Sequence, residues 1–162
     1  ARADERPQDG GVPLMTRNPA QTAALMALPD EVEAQFYEAL QQADLDKLMA
    51  LWSDDDEIAC VHPGGPRVVG HAAIRASFEA IFANGPIPVQ PHAVRRLQGL
   101  AHAVHHVNEQ VAIRTRDGIA EAWTHASNVF VKTAQGWRLV LHHASPGDGG
   151  QPGAGEGPST LH

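Results

Sequence analysis

The sequence is poor in the residues that usually announce a function. It holds a single cysteine, Cys60, so no disulfide can close within one chain, and no zinc motif can be built from thiolates. No run of lysine or arginine is longer than the Arg95-Arg96 pair and the formal net charge is −7. The electrostatic footprint of a nucleic-acid binder is therefore missing, and an anionic membrane is an equally poor partner. No apolar run approaches the roughly 20 residues of a membrane helix, and the opening "ARADERPQDGG" lacks the basic start and apolar stretch of a secretory signal. These absences read as a cytoplasmic chain, with Met15 an alternative start to Ala1. There is no internal repeat, phosphate-binding glycine loop, nucleophile elbow or cofactor fingerprint, so no cofactor is expected.

What is present is enough for a core. With 162 residues, 43% of them hydrophobic and 19% charged, one globular domain is expected. Residues 1–28 read as a tail in which "TAALMAL" could form a short helix; 29–146 read as the domain and 147–162 as a disordered Gly/Pro-rich tail. In "LPDEVEAQFYEALQQADLDKLMALW", Val32, Phe36, Ala39 and Leu40 recur at helical spacing behind Asp30 as N-cap. A break near 42–44 starts a second helix with Leu45, Leu48, Leu51 and Trp52 on one face. "DDDEIACVHPGG" switches to a period of two and stops as a strand at His62, "RVVG" is a short extended piece, and "HAAIRASFEAIFANG" is a third helix stopped by Gly85. Strands over 92–98, 101–115, 119–133 and 137–145 are separated by Gly99, Asp117-Gly118 and Ala134-Gln135-Gly136, the pattern of an antiparallel meander. Three helices followed by a curved, mostly antiparallel sheet give an α+β fold with helices on one sheet face.

The turns also suggest a register. A two-residue turn at Asp117-Gly118 sets Glu109 beside Ala126, and a three-residue loop after Thr133 sets Asn128 beside His142. One face then carries Glu109, Val111, Thr124, Ala126, Asn128, Phe130, His142 and Ala144. The other carries His106, Asn108, Trp123, His125, Ser127, Trp137, Leu139, Leu141 and His143. The adjacent His142 and His143 point opposite ways. Both faces are too apolar to be simply wet, so one should meet the helices and the other a second subunit.

The segments "HPGGPRVVGHAAIRASF", "ASNVFVK" and "GWRLVLHHASP" resemble the SnoaL-like branch of the nuclear transport factor 2-like superfamily over residues 29–146. "GWRLVLHHAS" is also similar to the last strand of the calcium/calmodulin-dependent kinase II association domain. The resemblance implies a cone-shaped α+β fold, a cavity between helices and concave sheet on the Glu109, Asn128 and His142 face, and dimers through the outer sheet face. That face would present Trp123, His125, Trp137, Leu141 and His143. The superfamily includes ketosteroid isomerase, scytalone dehydratase, limonene-epoxide hydrolase and polyketide cyclases beside binding and scaffold domains, so fold alone does not select function. The isomerase's tyrosine-plus-acid oxyanion hole has no convincing counterpart, since the only tyrosine, Tyr37, sits on the first helix.

The expected ligand is a small, largely apolar organic molecule. Glu109 and His142 are the candidate catalytic base and acid, because a desolvated carboxyl and an imidazole can both titrate near neutrality. His62 and Asn128 are candidate orienting donors, and Trp52, Tyr37, Cys60 and Thr124 candidate binding residues. Two structural readings compete with these roles. Glu109, Asn128 and His142 could be a satisfied polar network within the core, and Cys60, Trp52 and His62 could be core or strand-end residues. A third reading makes His62, Glu109 and His142 metal ligands, although their spacing fits no local motif. The functional alternatives are a cofactor-free isomerase, dehydratase or hydrolase and a non-catalytic binding or oligomerisation module.

Overall fold

The computed structural model describes residues 28–148. The short helix suggested within 1–28 and nearly all of the 147–162 tail lie outside the described residues. Helix α1 spans Pro29–Gln42, α2 Leu45–Ala50 and α3 His71–Phe82. The strands are β1 Ala59–Val61, β2 Arg67–Val69, β3 Val89–Gln98, β4 His102–Thr115, β5 Gly118–Thr133 and β6 Gly136–Pro146. They form one six-stranded sheet in the order β2-β1-β6-β5-β4-β3. All neighbours are antiparallel except β1 and β6, which run parallel and set Cys60 beside His142. No helix among the described residues is long and apolar enough to cross a membrane.

Asp30 is not the cap of α1. Leu28 holds the N-cap position, Pro29 follows it, and the Glu31 carboxylate accepts the Leu28 N–H at 3.2 Å. Proline suits the first helical position because it lacks only an N–H that would be unpaired there. Asp30 instead pairs with Arg96 of β3 at 2.6 Å. The apolar stripe of α1, Val32, Phe36, Ala39 and Leu40, is buried against the concave side of the sheet with Ile74 and Phe78 of α3. Burying each large side chain contributes about 1.5–3 kcal/mol.

The sheet register departs from expectation in two places, with different consequences. The β4–β5 turn centres on Arg116-Asp117, with Gly118 at φ +122° as the first strand residue, so Glu109 faces Thr124 rather than Ala126. A slide of two residues preserves every face assignment, because side chains alternate with a period of two. The β5–β6 loop is also one residue shorter than expected, pairing Thr133 with Gly136. A bulge at Val140 absorbs the difference and restores the Asn128–His142 pair. Between loop and bulge the side chains of β6 are reversed. Trp137 and Leu139 therefore turn into the core, at 5% and 0% exposure, and Trp137 is removed from the outer face to which alternation had assigned it. Trp123, His125, Leu141 and His143 stay on that face, half-buried or exposed.

Candidate functional site

A polar cluster lies inside this apolar shell. Glu33, Phe36, Tyr37 and Leu40 follow one another at helical spacing, so the inward face of α1 delivers a carboxylate and a phenol to the sheet. There they meet His105 and Glu109 of β4, Thr124 and Asn128 of β5, and His142 of β6. Each of these is at most 9% exposed, and His105 and Asn128 are fully enclosed. The Glu33 Oε2 accepts from His105 Nδ1 at 2.9 Å and from Asn128 Nδ2 at 3.1 Å. The same Nδ2 donates to the Tyr37 hydroxyl at 3.1 Å, and Asn128 Oδ1 lies 2.6 Å from His142 Nδ1. Thr124 donates to Glu109 Oε1 at 2.7 Å, and the Glu109 charge lies close enough to the Tyr37 hydroxyl to act on it.

These contacts fix where the protons sit. Turning the Asn128 amide over would aim its oxygen at the Glu33 carboxylate, acceptor against acceptor, so Nδ2 must face Glu33 and Oδ1 must face His142. His142 therefore carries its hydrogen on Nδ1. Its Nε2 keeps a lone pair and has no protein partner among the described residues. Burial lowers the His142 pKa below 6.5, the Glu109 charge only partly opposing this, so the ring is neutral at pH 7. Phe36 packs on the ring with centroids 4.8 Å apart and holds its plane. Burial, followed by the charge of Glu109, pushes the Tyr37 hydroxyl far above its usual range, so it stays protonated.

His142, Glu109 and Thr124 open on a cavity of about 90 Å³ whose remaining wall includes His62, Leu40, Phe78, Ile87, Val89 and Val111. His62 stands at the end of β1 against Phe78, edge to face, with ring centroids 4.9 Å apart. Its Nε2 lies 3.1 Å from Ser77 Oγ, and that hydroxyl spends its own proton on the Ile74 carbonyl at 2.8 Å. With the Ser77 hydrogen on that carbonyl, Nε2 of His62 is the donor, and Cys60 Sγ lies 3.9 Å from the same nitrogen. Burial, then the nearby His142, lowers the His62 pKa as well.

Of the residues proposed from sequence, the structure brings His142, Asn128 and Tyr37 into one hydrogen-bonded network, pairs Thr124 with Glu109 on the same sheet face, and sets His62 on the cavity wall. Cys60 sits beside His142 by strand pairing but does not line the cavity. Its thiol is fully buried and pushed up to about 12, chiefly by burial. The folded protein should resist thiol alkylation at pH 8 and react fully in denaturant, and rapid native labelling would contradict that burial. Trp52 belongs to the core, bridged to Leu139 with its indole N–H unpartnered, and is not part of the cavity wall. Among the described residues no group of three or more His, Cys, Asp or Glu is placed to hold a metal ion, so the His62, Glu109 and His142 ligand set does not assemble.

Glu33 and His105 were missed. Their signals existed: a carboxylate on the apolar face of α1, and a histidine in phase with Val107 and Glu109. A larger trough, about 760 Å³, crosses the outer sheet face past Arg95, His106, His125 and His143. It is open to solvent, and two of its histidines are already paired, His106 with Ser127 and His125 with Asn108. The enclosed, desolvated groups lie on the concave side.

Comparison with known proteins agrees with this architecture. A profile of the SnoaL-like domain matches residues 30–149. A proposed calcium/calmodulin-dependent protein kinase type II association domain from Thiobacillus denitrificans is 35% identical, with 76% of this chain and 98% of that one aligned at a TM-score of 0.69. A proposed dehydratase of the nuclear transport factor 2-like family from Streptomyces avermitilis is 27% identical over 74% of this chain and 94% of the other, at a TM-score of 0.66. The S. rosetta CaMKII hub, 22% identical over 76% and 100% at a TM-score of 0.60, shares the fold. No curated protein matches. The helices, the curved sheet and the matched residues make this chain a member of the SnoaL-like domain family, within the nuclear transport factor 2-like superfamily.

Proposed function

We propose that the chain binds a small, largely apolar organic molecule in the concave cavity and moves a proton on it without a cofactor, as an isomerase, dehydratase or hydrolase does. The observation that carries this reading is the neutral His142, held by Nδ1 on Asn128 with its Nε2 unpartnered, in the wall of the same cavity as Glu109. His142 would accept the proton. The imidazolium so formed is stabilised by the Glu109 charge and by Nδ1–H on Asn128, and it can return the proton at a second position or to a leaving hydroxyl. Such transfer contributes typically about 10²–10⁴-fold. Glu109 then orients the ligand and stabilises charge, and His62 and Thr124 complete the polar wall. The Streptomyces avermitilis neighbour, described as a proposed dehydratase, is consistent with this chemistry.

A second reading, a binding or oligomerisation module, is favoured by the likeness to a proposed association domain. In both readings two copies pair through the outer face, by Trp123, His125, Leu141 and His143. Native mass spectrometry of the untagged protein and of Glu109→Gln tests the first reading. A retained organic mass in the parent, lost in a variant whose Tm moves by only a few degrees, is the expected result. A variant that loses several degrees of Tm with no ligand in either form assigns Glu109 to the core network instead. Loss of neither removes both roles from that residue.

A further inference from the structure

The proton positions around the cavity carry a statement about what fits it. Four polar side chains face this space; three of them direct a hydrogen to the protein, and the fourth, Glu109, is an acceptor. His142 donates Nδ1–H to Asn128 at 2.6 Å, His62 donates Nε2–H to Ser77 at 3.1 Å, and Thr124 donates its hydroxyl to Glu109 at 2.7 Å. Glu109 takes that last hydrogen. What remains toward the ligand is lone pairs and carboxylate charge. Among the described residues no lysine or arginine lines the cavity, and a second carboxylate, Glu33, stands behind it on Asn128. A carboxylate or phosphate ligand would meet only acceptors there, and an unmatched buried acceptor is costly.

We infer that the cavity takes the protonated head of a small primary amine, an ammonium group on a short hydrocarbon body. This rests on the reading of the cavity as a ligand site and names its ligand class. An ammonium brings three donors and no acceptor, and the Glu109 carboxylate supplies a complementary charged partner that leaves the His142 lone pair for proton transfer. The hydrocarbon body lies along Leu40, Phe78, Ile87 and Val111. A space of about 90 Å³ is about three times the volume share of one water in the liquid, which suits a head group with a few carbons.

The test compares three probes of nearly equal shape, n-propylammonium, 1-propanol and propionate, titrated into the full wild-type chain at neutral pH and followed by amide and imidazole NMR. The expected result is saturable shifts at Glu109, Thr124 and His142 with n-propylammonium, at least tenfold tighter than with either other probe, as a charge-assisted contact should give. Glu109→Gln, checked by circular dichroism for retained fold, should remove most of that preference. Because the probe comparison uses the wild-type chain, it stands even if the variant does not fold. Equal or tighter binding of 1-propanol or propionate would overturn the ammonium assignment and leave the cavity a ligand site. No shift at these residues with any probe up to 100 mM would overturn the ligand-site reading together with the assignment.

Discussion

Replacing Asn128 with leucine is expected to destabilise the domain by about 3–5 kcal/mol, the range found when a buried charged or polar network loses one partner. Asn128 is fully buried and satisfies three groups at once: Glu33, the Tyr37 hydroxyl and the His142 Nδ1–H. Leucine has a similar volume, so the loss comes from stranded polar atoms rather than from a cavity. Ser127→Ala, one residue along on the opposite sheet face, is the control. It removes only the 3.2 Å contact to an exposed His106 and should change stability by less than about 0.5 kcal/mol. Urea denaturation of both variants measures the difference. An Asn128→Leu protein as stable as its parent would mean that these contacts are not formed together in solution.

The second large effect is a loss of stability in mild acid. His142 has its folded pKa lowered from 6.5, first by burial. Above 6.5 the imidazole is neutral in the folded and unfolded chains alike, and contributes no pH dependence. As the pH falls below 6.5 the unfolded chain binds a proton that the folded chain refuses, until the pH reaches the lowered folded value. Stability therefore falls through that window, with a slope approaching about 1.4 kcal/mol per pH unit for this group alone. His62, lowered by burial and by His142, acts in the same direction. In His142→Gln the slope below 6.5 should be visibly shallower, and an unchanged slope would show that His142 does not resist protonation in the fold.

The parts of this site that could be read in the sequence are those that depend on alternation. Glu109, Asn128 and His142 share a face because strand side chains alternate, and the two-residue slide at the Arg116-Asp117 turn leaves that parity intact. Trp137 could not be placed this way. Its direction depends on a bulge three residues later, and a bulge at Val140 carries no glycine or proline to mark it. Aspartate favours a cap position, but Pro29 fixes the helix start ahead of Asp30. Glu33 stands among the apolar residues on the inward face of α1. Its role depends on His105, 72 residues away, and no local pattern encodes that pairing. The mate of Asn128 on β6 was legible in the turn, while its mates on α1 required the fold.

His142 stands neutral in the cavity wall, with its hydrogen on Nδ1 and a lone pair on Nε2. Its ring nitrogens report this directly in a ¹⁵N NMR titration of the histidine side chains. Expected are a protonated, pyrrole-type Nδ1 and a bare, pyridine-type Nε2 at neutral pH, persisting below 6.5. A hydrogen on Nε2, or an imidazolium already formed at neutral pH, would contradict it. Either would reverse the Asn128 orientation or the burial argument on which the cavity chemistry is built.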